Sequence, residues 1–297
     1  MKEKMKGTLF LLTATIIWGF AFVAQSVGMD LIGPWTFQAV RSALAVLTLI
    51  LCSFLLDIGK CSVKESTDKW KSQSLWKAGC LCGCALFVAA SLQQIGLVYT
   101  SAGKAGFITT MYIVLVPVLG LFLGKKIPKL AVISVGLAVV GLYLLSCAGG
   151  ISNINKGDLY LMGCALAFAV QIQCVDHLSV GQDGFRMNCI QCLTVSVLSI
   201  PFALITETVV WEHLLAAAGP LLFSGCLSMG IAYSFQIMGQ KHVEPTTASL
   251  IMSLESVFAV IGGWWLLQER LTPTEWLGCA LVFAAVLLLQ LPNKKTA

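Results

Sequence analysis

Eight side chains in this 297-residue sequence have the chemistry to hold a small polar solute: Trp18, Arg41, Gln93, Tyr112, Gln171, Gln191, Gln236 and Glu255. All lie inside long apolar stretches, where a polar group is costly unless it faces a partner or a cavity. Arg41 could neutralise a substrate carboxylate, or snorkel its head group to a bilayer surface. Glu255 has two readings: a desolvated carboxyl that takes up a proton, or an acceptor bonded to a neighbouring helix. The amides, with Gln94 and Gln173 beside them and the Tyr112 phenol, suit recognition of a zwitterion or a polar metabolite. Each amide taken singly fits helix-to-helix bonding equally well. As a set drawn from both halves of the chain, they fit a polar cavity better. Trp18, Phe22 and Gln25 share one helical face, and an aromatic there could stack on cargo, close a gate or pack.

The sequence carries no recognisable catalytic motif. The three histidines, His177, His213 and His242, fall at or beyond the ends of apolar runs and in no metal-binding spacing. No glycine-rich phosphate loop is present, so this chain alone does not hydrolyse ATP. The cysteines mostly sit in apolar runs, where the residue behaves as a small hydrophobe. Cys80, Cys82 and Cys84 do not form a metal site, because only positions three or four apart share a helix face. The chemistry points to binding a small molecule without a cofactor or metal, and the expected class is a transporter. A membrane channel and a membrane-embedded enzyme are the alternatives. A transporter would show saturable counterflow and a channel would not.

These residues need elements to position them, and composition dictates which. The hydrophobic fraction is 58%, the charged fraction 11% and the mean hydropathy +0.87. A soluble fold could not hide so much apolar surface, whereas lipid accepts it. At about 20 apolar residues per span, the length predicts an all-α integral membrane protein of ten transmembrane helices. The predicted spans are Gly7–Val27, Pro34–Leu56, Ala78–Val98, Ala105–Leu123, Leu130–Cys147, Leu159–Val175, Phe185–Ile205, Leu214–Met238, Thr246–Leu267 and Glu275–Leu291. Gly79, Gly83, Gly136, Gly141, Gly262 and Gly263 are expected to let helices approach closely. Pro117 is expected to kink the fourth span.

Lysine and arginine fix the expected orientation. With the N-terminus cytoplasmic, fifteen of the nineteen fall on the cytoplasmic side, three outside, and Arg41 within a helix. Both termini and the polar Asp57–Ser74 segment are therefore expected in the cytoplasm, in a multi-pass protein of the cell (inner or plasma) membrane. The net charge of +5 is this topology signal rather than a nucleic-acid footprint. The expected partners are the lipid bilayer and a small-molecule substrate. The sequence is silent on oligomeric state.

Five helices per half is an odd number, so an internal duplication must be inverted across the bilayer. With a shift of 150, Gly7-Thr8-Leu9 falls on Gly157-Asp158-Leu159, and Gln38-Ala39-Val40-Arg41 on Asn188-Cys189-Ile190-Gln191. With a shift of 143, Gln93 meets Gln236, Gly96 meets Gly239 and Ala105 meets Ala248. Lys125-Lys126-Ile127-Pro128 meets Glu269-Arg270-Leu271-Thr272 at a shift of 144. The reading is two inverted five-helix repeats, residues 1–150 and 151–297. Such repeats, with a site near the midplane, are the architecture of secondary transporters.

Three stretches, together with the helix pattern over nearly the whole chain, resemble the EamA-type family of the drug/metabolite transporter superfamily. They are Ile17-Trp18-Gly19-Phe20-Ala21-Phe22, Tyr99–Pro117, and Ala248-Ser249-Leu250-Ile251-Met252-Ser253-Leu254-Glu255 running on to Thr272. The resemblance implies ten helices, and export of amino acids or related metabolites, with import in some members. It further implies alternating access, by substrate exchange or proton coupling. A glutamate at the position of Glu255 is common in the family whatever the cargo, which favours a structural acceptor there. The sequence departs from the pattern at Phe168-Ala169-Val170-Gln171, which stands opposite the Trp18-Gly19 pair, and at Lys125-Lys126.

Overall fold

The computed structural model describes residues 2–100, 102–146, 155–266, 268 and 272–290, which contain helices, turns and short connections but no strand. Among the described residues, eight helices are long and apolar enough to cross a membrane: α1 (Lys2–Met29), α2 (Pro34–Asp57), α3 (Gln73–Leu97), α4 (Ala102–Phe122), α6 (Lys156–Leu178), α7 (Gly184–Thr206), α8 (Ala218–Gln240) and α9 (Pro245–Leu266). Two shorter apolar helices, α5 (Lys129–Ser146) and α10 (Pro273–Gln290), complete the set. The expected helix ends at Cys147, Leu267 and Leu291, and the charges of Arg270, Lys294 and Lys295, lie outside the described residues.

Local chemistry sets the helix starts. Pro34 and Pro245 occupy the first turns of α2 and α9, where a missing N–H costs nothing. Asn155 and Asp158 form a capping box at α6, and the Asp183 side chain caps α7. Gly181, at φ 74°, makes the left-handed turn between α6 and α7. Several boundaries differ from expectation. α1 begins at Lys2, because Lys2–Lys6 continues the helix beyond the apolar run. The expected eighth span divides into a separate short helix, Trp211–Ala216, and α8. α8 is itself π-helical over Phe223–Ala232. The expected kink at Pro117 is displaced: α4 is interrupted at Met111, six residues earlier, and Pro117 lies inside the segment that resumes at Tyr112. α9 has a similar interruption at Ser253. The polar Asp57–Ser74 segment contains a short helix, Val63–Asp68.

Packing follows the small residues. α2 lies along α7, α5 along α10, α3 along α6 and α7, and α1 along α8 and α9, while α8 also meets α2 and α4 meets α6. A Cβ added at Gly239 would stand 2.9 Å from the Gly7 carbonyl, so α1 and α8 touch backbone to backbone. α3 and α6 do the same, with a Cβ at Gly157 standing 2.9 Å from the Gly96 carbonyl. Gly79 and Gly83 press on α7 and Gly141 on α10, as expected of interface glycines, but Gly136 has no neighbour within 4 Å. Outward faces carry apolar stripes for lipid; Leu47, Leu51 and Leu55 of α2, at helical spacing, are all exposed.

The α2–α7 pair is fastened at both ends. Glu207 beyond α7 accepts hydrogen bonds from the Trp35 and Thr36 amides at 2.9 and 2.8 Å, satisfying donors that the first turn of α2 leaves open. At the other end Asp57, the last residue of α2, is bonded to Arg186 in the first turn of α7. Arg186 is buried and also pairs with Asp183 at 2.9 Å. Lys69 reaches Asp57 at 2.9 Å, and that bond raises the lysine pKa above its ordinary value. The antiparallel course of α2 and α7 follows from these contacts.

Candidate substrate cavity

The helices converge on a small central cavity of about 30 Å³, partly open to the outside. α1 turns Trp18, Phe22 and Gln25 toward it, the face expected from their spacing. α2 supplies Arg41, α3 Gln93 and α6 Phe168 and Ile172. Tyr112 enters directly after the interruption of α4, and Met252 and Glu255 flank the interruption of α9. The end of the π-helical segment of α8 presents Ser228 and Met229, and the α-helical turns that follow present Tyr233 and Gln236. Interrupted helices re-aim side chains and free backbone groups at the depth where a solute binds.

Arg41 is 2% exposed and has no carboxylate within 4.0 Å among the described residues. Its Nε donates to Gln38 Oε1 at 2.8 Å and its Nη1 to Gln25 Oε1 at 2.6 Å. The guanidinium carbon stands 5.6 Å from the Phe37 ring centre. Arg41 therefore does not snorkel. It is held inside by two amides that orient it without neutralising it. Glu255, also buried, accepts a hydrogen bond from the Tyr112 hydroxyl at 3.0 Å and pairs with no cation among the described residues. The cavity thus carries a guanidinium and a carboxyl group that do not meet. Its walls are aromatic: Trp18 and Tyr233 rings stand 4.9 Å apart, and Tyr112 and Phe168 rings 6.4 Å apart.

Six of the eight residues singled out from sequence line this cavity: Trp18, Arg41, Gln93, Tyr112, Gln236 and Glu255. Gln171 and Gln191 do not. They lie behind it, fully buried, with Gln236 Nε2 donating to Gln171 Oε1 at 3.1 Å and Gln171 Nε2 to Gln191 Oε1 at 3.4 Å. Tyr233, Ser228, Met229, Met252 and Ile172 escaped the sequence reading. Four are small or apolar side chains in apolar helices and give no signal, while Tyr233 carried the same signal as Tyr112. Two buried polar atoms on lining side chains have no partner: the Trp18 Nε1 donor and the Gln236 Oε1 acceptor.

A helical membrane protein of this build fits the class of membrane transporters, and the comparisons with known proteins agree. The sequence profile of the EamA-like transporter family matches residues 5–147 and 155–291. An uncharacterised transporter of Archaeoglobus fulgidus is 32% identical over 290 residues, covering 97% of this chain and 87% of that protein. The uncharacterised transporter YoaV of Bacillus subtilis is 24% identical, covering 95% and 96%. A chloroplastic WAT1-related protein of Arabidopsis thaliana is 24% identical, covering 95% and 69%. A solved crystal structure superposes with a TM-score of 0.79 at 17% identity over 96% of each chain, a likeness of fold alone. The chain belongs to the EamA-like transporter family. It is a multi-pass membrane transporter and not an enzyme.

Proposed function

We propose that the chain is a secondary transporter, an exporter of amino acids or related small metabolites, working by alternating access around the central cavity. The observation that carries this reading is a pair of ionisable groups that do not meet: Arg41 and Glu255 line one space, each held by neutral partners and neither by the other. A zwitterion would neutralise both, its carboxylate on Arg41 and its ammonium beside Glu255, while an apolar side chain lies against Trp18 and Tyr233.

Alternating access needs two half-folds that rock around one site, and several features support an inverted pair of five-helix repeats. The family profile matches once in each half. The helix contacts map onto themselves when each helix is exchanged for the one five places on: α3–α6 becomes α8–α1, and α1–α9 becomes α6–α4. Gly7 and Gly157, 150 apart, make the same contact with Gly239 and Gly96, which are 143 apart. Glu207 and Asp57, again 150 apart, fasten opposite ends of the α2–α7 pair. The cavity lining pairs up in the same way: Trp18 with Phe168, Phe22 with Ile172, Gln93 with Gln236 and Tyr112 with Glu255. On this reading α5 and α10 also span, and the lysine-rich face, with both termini, is cytoplasmic.

Proteoliposomes test the reading. Loaded with unlabelled amino acids, they should draw in labelled substrate by saturable counterflow, which a channel would not show. Coupling is tested at Glu255. We assign it a proton taken up and released during the cycle, with Tyr112 as the neutral partner in one state. Glu255→Gln mimics the protonated form, so the variant should fold and exchange substrate while an imposed pH gradient no longer drives accumulation. Unchanged pH dependence would leave Glu255 as a structural acceptor for Tyr112.

A further inference from the structure

The buried amides behind the cavity form one chain whose direction is fixed at its far end. Asn188 Nδ2 lies 2.9 Å from the Met229 carbonyl and 2.8 Å from the Gly230 carbonyl, both in the π-helical segment of α8. A carbonyl accepts only, so the Asn188 amide must turn its nitrogen to these oxygens and its Oδ1 away. Oδ1 then receives Gln191 Nε2 at 3.1 Å and the Cys192 thiol at 3.5 Å. Gln191 must in turn offer Oε1 to Gln171 Nε2, and Gln171 must offer Oε1 to Gln236 Nε2. Each amide has one orientation that satisfies its neighbours, and reversing any one sets donor against donor or acceptor against acceptor. The chain ends at a side chain that lines the cavity, and the atom left over is Gln236 Oε1, buried and without a partner.

We infer that Asn188, Gln191 and Gln171 act as positioning residues that fix Gln236 as a hydrogen-bond acceptor, so that the cavity selects ligands presenting an N–H or O–H donor at that point. An isolated glutamine could rotate its amide and serve either a donor or an acceptor. This one cannot without breaking bonds across three helices, all of them shielded from water. The loop also closes on itself: Gln236 lies nearly two turns beyond the π-helical carbonyls that anchor Asn188, so both ends of the chain are on α8. Discrimination among ligands is therefore set by residues that no ligand touches. The amide at Gln191 stands where the first repeat has Arg41, and the Gln191–Asn188 bond repeats the Arg41–Gln38 bond. One half of the protein thus presents a cation to the cavity, and the equivalent residue of the other half sets the polarity of an acceptor.

This assignment rests on the zwitterion reading, and the test separates the two. The probes are phenylalanine and its N,N,N-trimethyl betaine, which share ring, charge and carboxylate but differ in N–H donors. Ligand-induced stabilisation of the purified full-length protein should show phenylalanine preferred by roughly ten-fold or more, the size of one hydrogen bond to a charged donor. Gln191→Met removes the acceptor that holds Gln171, frees Gln171 and Gln236 to rotate, and should bring the ratio toward one. Gln191→Glu, measured at a pH low enough to protonate it, can donate its O–H to Asn188 Oδ1 and accept from Gln171, and should retain the preference, which a merely structural role for residue 191 would not produce. Should the methionine variant not fold, Gln171→Met makes the same break one link nearer the cavity. A ratio unmoved by these changes overturns the assignment and leaves the transporter reading standing. Binding of neither probe overturns the zwitterion reading and this assignment with it.

Discussion

Gly19→Ala should lower the melting midpoint of the purified protein by about 10 °C or abolish folded yield, although it adds a single methyl group. The added carbon would stand 2.2 Å from the Phe258 Cβ, 2.8 Å from the Phe258 carbonyl carbon and 2.9 Å from the Ala259 nitrogen. These are backbone or backbone-adjacent atoms, so no rotamer change relieves the clash. α1 and α9 must separate, and α1 holds Trp18 against Tyr233 through the adjoining residue. Overpacking of a side chain typically costs about 1–3 kcal/mol, and a backbone that cannot yield sits at or above the top of that range. Gly136→Ala is the matched control. Nothing lies within 4 Å of a Cβ there, and alanine is the better helix former, so the variant should melt at or slightly above wild type. Equal behaviour of the two variants would show that α1 and α9 do not pack as described.

The contrast between these two glycines measures how much a sequence can tell. Both lie in apolar runs, but of the two the sequence singled out only Gly136 as a packing glycine. Only the fold shows that one faces Phe258 and the other faces outward. The helices themselves were legible, because the bilayer imposes one length and one polarity on every span. The cavity was legible where it is polar: buried Arg41, Glu255 and the amides stand out against hydrocarbon, and most of them do line it. The apolar wall gave no such signal, since Met229 and Met252 differ in no way from core residues. The π-helical stretch of α8 and the interruptions at Met111 and Ser253 were also hidden, because neither residue is itself a glycine or proline. The real break in α4 misses Pro117 altogether. Gln171 and Gln191 were found for the right reason, burial of an amide, but misplaced by one layer, since spacing along a helix does not say which buried face meets solute and which meets another amide.

Arg41→Met should lose substrate while keeping its stability, and this separation of the two is the mark of a binding group. Desolvating a guanidinium costs several kcal/mol, and no carboxylate among the described residues offsets it at Arg41. Removing the charge recovers that cost. Against it stands the loss of a partner for Gln25 and Gln38, at about 1–3 kcal/mol for each amide oxygen left bare. The two quantities are of similar size and opposite sign, so the melting midpoint of the empty variant should stay close to that of the wild type. Binding, by contrast, should fall. A carboxylate seated on Arg41 would lose the only cation that the described residues place in the cavity, and truncating one member of such a buried pair costs enough to weaken affinity by roughly 100-fold. Phenylalanine and phenethylamine separate this from general damage, since the amine lacks the carboxylate. The variant should lose phenylalanine and hold phenethylamine as well as or better than the wild type does, because the like charge opposing it has gone. Loss of both ligands together with a lower melting midpoint would instead make Arg41 a strut between α1 and α2. The carboxylate of the substrate would then have to be met by the Trp18 indole N–H, the donor on the cavity wall that is left without a partner.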